Sequence, residues 1–198
     1  MKSLRIALAL LITVVAAAPA AAQNQPSRFQ VSLYPNSRIF ATGGGTQEQP
    51  KFKSYTPGAS LTMALGRRFA LEADIAGSLG RHQSMGMLGR KKSPALLGGT
   101  INGVVGLMPG NKVQPYLTAG LGVIRLFKRE ELGMTHGETL ESANVGAGVK
   151  VMFSGWGIRA DYRFVGMDSA EQERSTFFGP KVRHAHRIAV GFVIGDGR

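Results

Sequence analysis

Residues 156–164 read WGIRADYRF, and this stretch decides the predicted fold. Apolar and aromatic side chains occupy every second position, and the charged side chains lie between them. Alternate residues of a β-strand point to opposite faces, whereas a helix would mix the two sets. Residues 144–153 alternate in the same way, and only Ser154 and Gly155 separate the two runs. The pattern therefore predicts two antiparallel strands joined by a tight hairpin.

The same period of two recurs on both sides of this hairpin. It predicts further strands near residues 59–66, 71–79, 97–107, 117–123 and 187–194. A weaker first run begins at Phe29 and is interrupted by Pro35, and residues 38–41 are expected to continue that strand past a bulge. The sequence thus predicts eight strands.

The connections between the predicted strands alternate in length. Short turns are expected near residues 66–68, 109–112 and 154–155, and long polar loops near residues 42–56, 81–93, 128–139 and 168–182. Short turns at one end and long loops at the other are typical of outer-membrane barrels, and about ten residues let a tilted strand cross the hydrocarbon. The predicted fold is all-β: an eight-stranded antiparallel up-and-down transmembrane β-barrel.

The size of the side chains indicates which face of the strands would meet lipid. One face carries large apolar residues, and the other is mostly Gly, Ala, Ser, Thr and Asn. Small side chains suit a narrow lumen, whereas a face in contact with water would carry many Lys and Glu residues. An aromatic girdle is expected beside the short turns, from Phe69, Tyr116, Phe153 and Trp156. A soluble periplasmic barrel that carries an apolar ligand is the alternative.

Composition and the N-terminus favour an exported, β-rich protein. The 198 residues include 27 Gly, which is unfavourable in helices, and no Cys, which excludes disulfides, thiolate metal sites and a Cys nucleophile. Residues 1–22 combine basic Lys2 and Arg5, an apolar stretch and a small-residue end, and they predict a signal peptide cleaved before Gln23. Residues 23–198 are expected to form one outer-membrane β-barrel domain.

Three stretches resemble small eight-stranded outer-membrane β-barrels of Gram-negative bacteria, the family that includes the OmpA-like transmembrane domain and OmpX-like proteins. They are PYLTAGLGV at 115–123, NVGAGVKVMFSGWGIRADYRF at 144–164 and HRIAVGFVIG at 186–195, and the resemblance covers residues 27–194. It implies the fold, a place in outer-membrane lipid and insertion by the assembly machinery, and it supplies no catalytic residues. These barrels usually end in an aromatic residue; here residues 193–198 follow Phe192, so we expect an internal or atypical assembly signal.

Charged residues also occur on the face that the alternation turns inward. They are Glu72, Asp74, Lys150, Arg159, Asp161, Arg163 and Arg187. An eight-stranded barrel is just wide enough for side chains to fill it, and an unpaired buried charge costs several kcal/mol. We therefore expect a lumen ion-pair network that plugs the barrel. A narrow, porin-like channel for small solutes is the alternative.

Basic residues cluster at the end with the long loops, where lipopolysaccharide phosphates would lie. The candidate lipopolysaccharide contacts are Lys51, Lys53, Arg81, Arg90, Lys91, Lys92, Lys128, Arg129, Lys181 and Arg183. The formal charge of +12 would also suit nucleic-acid binding, but an export signal and a membrane barrel leave that function no compartment. The loops are further expected to meet surface or host partners.

The sequence predicts no catalytic, cofactor-binding or metal site. His82 and Ser84 lie two residues apart, as in a lipid A-modifying enzyme with a serine nucleophile, but no acidic partner is evident. His184 and His186 share a face and with His136 could bind a metal, although their spacing matches no strong motif. The expected function is non-enzymatic: a structural or surface-interaction role through four extracellular loops on a rigid barrel.

Overall fold

The computed structural model of the chain describes residues 28–42, 52–84, 89–130, 136–169 and 183–195. The strands are β1 (Phe29–Thr42), β2 (Phe52–Tyr55), β3 (Gly58–Ala64), β4 (Phe69–Ser78), β5 (His82–Ser84), β6 (Arg90–Lys92), β7 (Leu96–Gly106), β8 (Val113–Leu126), β9 (Glu138–Met152), β10 (Trp156–Ser169) and β11 (Arg183–Gly195). Over these ranges, no helix has the length and apolar character needed to cross a membrane. The predicted signal peptide, residues 1–22, lies outside the described residues.

Antiparallel strands close into an eight-stranded barrel. Backbone hydrogen bonds link β11, β10, β9, β8, β7, β4, β3 and β1 in that order, and β1 pairs back with β11. The short strand β2 also pairs with β1 and precedes β3, so β2 and β3 together occupy one position in the barrel. The predicted eight-stranded up-and-down architecture is confirmed.

The turns at one end of the barrel are tight, as the sequence predicts. They join β3 to β4 at residues 65–68, β7 to β8 at 107–112 and β9 to β10 at 153–155. In the last turn the Phe153 amide donates to the Trp156 carbonyl at 2.7 Å, and Gly155 has a φ of +79°. Only glycine adopts such an angle without steric cost. At the opposite end, β5 and β6 form a two-stranded hairpin within the predicted loop 81–93.

Strand β1 contains the irregularity expected at Pro35. Its pairing with β11 shifts register between Leu33 and Asn36. Even-numbered residues are buried before the shift, whereas Ser37 and Ile39 are buried after it. An extra residue in one strand reverses which positions face inward, so the shift is a β-bulge.

The outside of the barrel is apolar and the inside is polar. Outward side chains such as Val31, Leu61, Val145 and Ile188 are 44–57% exposed, on a belt that includes every barrel strand. The buried inward face instead carries Ser, Thr, Asn and charged residues. A water-soluble protein would not expose so large a contiguous apolar surface. The alternative of a soluble barrel with an apolar lumen therefore does not fit.

The aromatic girdle differs from the prediction at Tyr116. Phe69, Phe153 and Trp156 point outward beside the tight turns, and the Phe153 and Trp156 rings stack with centroids 4.6 Å apart. Tyr116 is only 3% exposed and faces inward, so its predicted place in the girdle is wrong. It has the same parity on β8 as inward-facing Thr118, and this parity decides its direction.

Candidate functional site

The seven predicted lumen charges all lie on inward positions of four strands. They are Glu72 and Asp74 on β4, Lys150 on β9, Arg159, Asp161 and Arg163 on β10, and Arg187 on β11. Residues two apart in a strand share a face, which is why β4 and β10 each place consecutive charges in the lumen. None of the seven is more than 8% exposed.

Glu72 binds two arginines of β10. Its Oε2 accepts a hydrogen bond from Arg159 Nη1 at 2.5 Å, and its Oε1 accepts one from Arg163 Nη2 at 2.7 Å. The hydroxyls of Ser60 and Thr62 on β3 also donate to Oε2, at 3.4 and 3.2 Å. Both carboxylate oxygens are therefore satisfied, which is the condition under which a buried ion pair offsets its desolvation.

Asp161 links the same arginines to an aromatic residue. Its Oδ2 lies 3.0 Å from Arg159 Nη2 and 3.3 Å from Arg163 Nη2, and it accepts the Tyr116 hydroxyl at 3.1 Å. Arg159 Nε in turn donates to that hydroxyl at 2.7 Å. The Arg159 guanidinium lies 4.8 Å from the Tyr116 ring centroid and 5.4 Å from that of Tyr34, within cation–π range. Sequence reasoning did not include either tyrosine in the site.

A third carboxylate extends the ion pairs towards β11. Asp74 Oδ1 lies 2.6 Å from Arg187 Nη1, and its Oδ2 is 4.0 Å from Arg163 Nη2. Arg187 Nε also donates to the Ser37 hydroxyl at 3.2 Å. Six charges from β4, β10 and β11 thus form one connected chain across the lumen.

Lys150 lies apart from this chain. Its Nζ donates to the Gln30 amide oxygen at 2.6 Å and lies 5.5 Å from the Tyr116 ring centroid. The ion pairs of the described residues do not include it. Three carboxylates face three arginines, and the lysine is the remaining cation.

Apolar side chains fill the lumen on the side of the long loops. The buried cluster consists of Ile39, Leu96, Ile124, Leu126, Leu140, Val165, Met167 and Ala185. A cavity of about 50 Å³ remains between these residues and the charges of Asp74, Arg163 and Arg187. This cluster differs from the prediction, which has a polar inward face along the whole barrel. Continuing the parity of β8 to Ile124 and Leu126 would have revealed it.

The comparisons with known proteins agree with this architecture. The model of the family described as "Outer membrane protein beta-barrel domain" matches residues 7–193. The chain belongs to this family. Its location is the bacterial outer membrane, and its apolar belt faces lipid. In such barrels the short turns are periplasmic and the long loops extracellular. No curated protein sequence matches the chain.

Solved structures of other outer-membrane barrels have the same fold. Neisserial surface protein A is 16% identical with a TM-score of 0.59, and the match covers 86% of this chain and 98% of that one. OprG of Pseudomonas aeruginosa is 12% identical with a TM-score of 0.51, covering 87% and 97%. The N-terminal β-barrel domain of OprF from the same organism is 15% identical with a TM-score of 0.50, covering 85% and 100%. At these identities the likeness concerns the fold alone.

The basic residues of this outer-membrane barrel differ in exposure. Lys53, Arg81, Arg90 and Lys128 are exposed at the extracellular end, and Lys91, Lys92 and Arg129 are half-buried there. Lys51 and Lys181 lie outside the described residues. Lys128 pairs with exposed Glu130 at 3.8 Å.

Arg183 does not lie on the outer surface as predicted. It is 4% exposed and occupies the same inward face of β11 as Ala185 and Arg187. As a basic residue beside the predicted loop 168–182 it is a candidate lipopolysaccharide contact, but β11 begins at this residue, and the parity of the strand turns its side chain inward.

The histidines are spread over the outside of the barrel, the β5–β6 hairpin and, for His136, an exposed position just before β9. His82 is exposed on β5, and of Ser84 only the backbone is described. His186 Nδ1 lies 2.6 Å from the Tyr162 hydroxyl, and His184 stacks on an aromatic ring of β10. Among the described residues, no group of three or more His, Asp or Glu could hold a metal ion.

Proposed function

We propose that the protein is a non-enzymatic outer-membrane barrel, closed to solutes, whose rigid wall supports extracellular loops for surface interactions. The filled lumen is the observation that supports this proposal. The ion pairs around Glu72 block one level, and the apolar cluster around Leu140 blocks another. The cavity between the two levels, about 50 Å³, is far smaller than the water-filled channel of a large porin.

The extracellular rim is the surface that we propose to bind lipopolysaccharide. The Lys53 amide donates to the Gln83 side-chain oxygen at 2.9 Å, which joins β2 to the β5–β6 hairpin. Arg90 is the first residue of β6, and Arg81 immediately precedes β5. Both side chains are exposed. One guanidinium group can donate two parallel hydrogen bonds to a phosphate group. These cations therefore suit the phosphates of the outer leaflet. Other surface or host partners would contact the same loops, and the assembly machinery would insert the barrel.

Liposome swelling tests whether the barrel is closed. Liposomes that contain the folded protein should swell in small sugars no faster than protein-free liposomes. Folding is checked by the change in gel mobility on heating. Faster swelling that scales with the amount of folded protein would support the alternative, a narrow channel for small solutes.

Lipopolysaccharide binding tests the proposed role of the rim. The variant Arg81→Gln/Arg90→Gln should bind lipopolysaccharide several-fold more weakly than the wild type, with a smaller dependence on salt. Arg28→Gln/Lys112→Gln makes the same charge change at exposed positions of the periplasmic end and serves as the control. Equal binding by both double variants would refute the proposed rim.

A lipid A-modifying enzyme at His82 and Ser84 is the alternative activity. His82 is exposed on the loop hairpin, opposite Lys92 in the strand register. No hydrogen bond or ion pair within the described ranges joins His82 to a carboxylate that would orient it as a general base. We therefore expect the mass spectrum of lipid A to be unchanged when the protein is produced.

A further inference from the structure

A second cavity lies at the periplasmic mouth of the barrel. It has a volume of about 80 Å³, between the turn at 65–68 and the turn at 107–112. Its polar lining comes from Gln30, Thr62, Arg67, Arg68, Gln114, Tyr116 and Lys150. No Asp or Glu of the described residues lines it. We call this cavity the periplasmic vestibule.

Lys150 is the buried charge of the periplasmic vestibule. It is 8% exposed, and Gln30, its hydrogen-bond acceptor at 2.6 Å, carries no charge. An ammonium group has three donors, and a buried cation without a counter-charge costs several kcal/mol. The lysine thus has spare donors and no ion-pair partner among the described residues, and it lies beside an open space.

The nearby carboxylates form their ion pairs with arginines and none with Lys150. Glu72 and Asp161 each bind Arg159 and Arg163, and Asp74 binds Arg187. Arg159 is also the cross-strand partner of Lys150 in the β9–β10 register, which adds positive charge next to the lysine. At the mouth of the vestibule, Arg67 and Arg68 are exposed and add two more cations.

We propose that the periplasmic vestibule binds one phosphate-sized oxyanion, with Lys150 as the buried ligand and Arg67 and Arg68 as the cations at its mouth. The Gln114 side chain already donates to the Asn111 carbonyl at 2.9 Å, so charged donors supply most of the binding. The anion is either free phosphate or the phosphate of an inner-leaflet lipid headgroup. Both present the same tetrahedral oxygens to the ammonium and guanidinium groups.

Equilibrium dialysis with radiolabelled inorganic phosphate tests this site on the full chain, folded in a detergent that contains no phosphorus. The wild type should bind one phosphate per barrel, and Lys150→Gln should bind at least about tenfold more weakly, the usual effect of losing one charge-assisted hydrogen bond. Lys112→Gln is the matched control. It removes the same charge at the same end, but Lys112 is exposed over the Phe153 ring and does not line the vestibule.

A parallel measurement uses short-chain phosphatidylglycerol and the width of its ³¹P resonance. If the wild type broadens this resonance and Lys150→Gln does not, the lipid headgroup is a source of the bound anion. If the wild type binds only free phosphate, the bound anion is the dissolved phosphate ion. The proposal is overturned if the wild type binds neither probe, or if Lys150→Gln binds both as tightly as Lys112→Gln does.

Folding of the variants is checked by heat-modifiable gel mobility. If Lys150→Gln does not fold, the variant Arg67→Gln/Arg68→Gln takes its place in the phosphate-binding measurement. Weaker phosphate binding than in Lys112→Gln supports the site, and equal binding overturns it. Neither measurement depends on whether the lumen conducts, so the proposed closed barrel can fail while the anion site stands.

Discussion

Glu72 is the residue that joins the ion pairs of the lumen. Replacing it by Gln keeps its shape but leaves Arg159 and Arg163 without the carboxylate that they share at 2.5 and 2.7 Å. Removing one partner of a buried pair costs about 3–5 kcal/mol, so the free energy of unfolding should fall by that amount. This free energy is measured by titrating the protein in bilayers with urea and following the intensity of the folded band on a gel.

Glu130→Gln is the matched control for this prediction. It removes an exposed partner of Lys128 at 3.8 Å and should cost less than about 1 kcal/mol. Glu72→Gln and Glu130→Gln with equal urea midpoints would contradict the ion-pair account.

Tyr116 distinguishes a lumen residue from a girdle residue. Its hydroxyl accepts from Arg159 Nε at 2.7 Å and donates to Asp161 Oδ2 at 3.1 Å. Tyr116→Phe should therefore lower the free energy of unfolding by about 1–3 kcal/mol, the cost of leaving buried partners unsatisfied. Tyr55→Phe, which removes an exposed hydroxyl, is the control and should cost less. A urea midpoint for Tyr116→Phe that is higher than that of the control would contradict its place in the lumen.

At the scale of the strand, β8 depends on Gly120. A Cβ at this position would collide with the Asn102 side chain and the Ile101 carbonyl. Gly120 is the cross-strand partner of both Asn102 and Asn144, and its lack of a side chain lets the two amides meet at 2.9 Å.

Gly120→Val should lower the free energy of unfolding by about 3 kcal/mol or prevent folding, because the packed lumen cannot expand. Gly103→Val on β7 is the control: the nearest atom to its added Cβ is the Ala119 carbonyl oxygen at 3.9 Å, and the side chain would face lipid. Heat-modifiable mobility and urea midpoints measure both. Tolerance of Val at both sites would contradict the close approach.

The strands themselves could be predicted because parity is a local property. Alternation in WGIRADYRF already placed Arg159, Asp161 and Arg163 on one face, and they lie there in the structure. The partners of these residues could not be predicted. Glu72 meets Arg159 across the lumen although the two lie 87 positions apart, and such contacts depend on strand tilt and stagger.

The prediction and the structure differ where the chemical type of a residue and its position in the strand point to different places. Aromatic character predicts Tyr116 at the membrane interface, and basic character predicts Arg183 as a lipopolysaccharide contact. In both cases strand parity decided the outcome, since each side chain is buried on the inward face. The division of one barrel position into β2 and β3 was also not predicted. It occurs at residues 56–57, where Pro57 cannot donate a backbone hydrogen bond.

At the scale of the whole molecule, an apolar exterior surrounds a lumen with two filled levels. One level holds the ion pairs around Glu72, and the other holds the apolar cluster around Leu140. Lipid covers the outer belt, and we propose that the paired charges and the apolar cluster close the described lumen to a continuous water path. Under this proposal a rigid wall carries the extracellular loops, which suits surface interaction rather than solute transport.

Single-channel recording in planar bilayers tests this closed barrel most directly. Insertion of the wild-type chain, verified by heat-modifiable mobility of the reconstituted protein, should produce no stable current in molar salt at moderate voltage. Steady, ohmic steps of uniform size from the same preparation would show a continuous aqueous path and would contradict the occluded lumen.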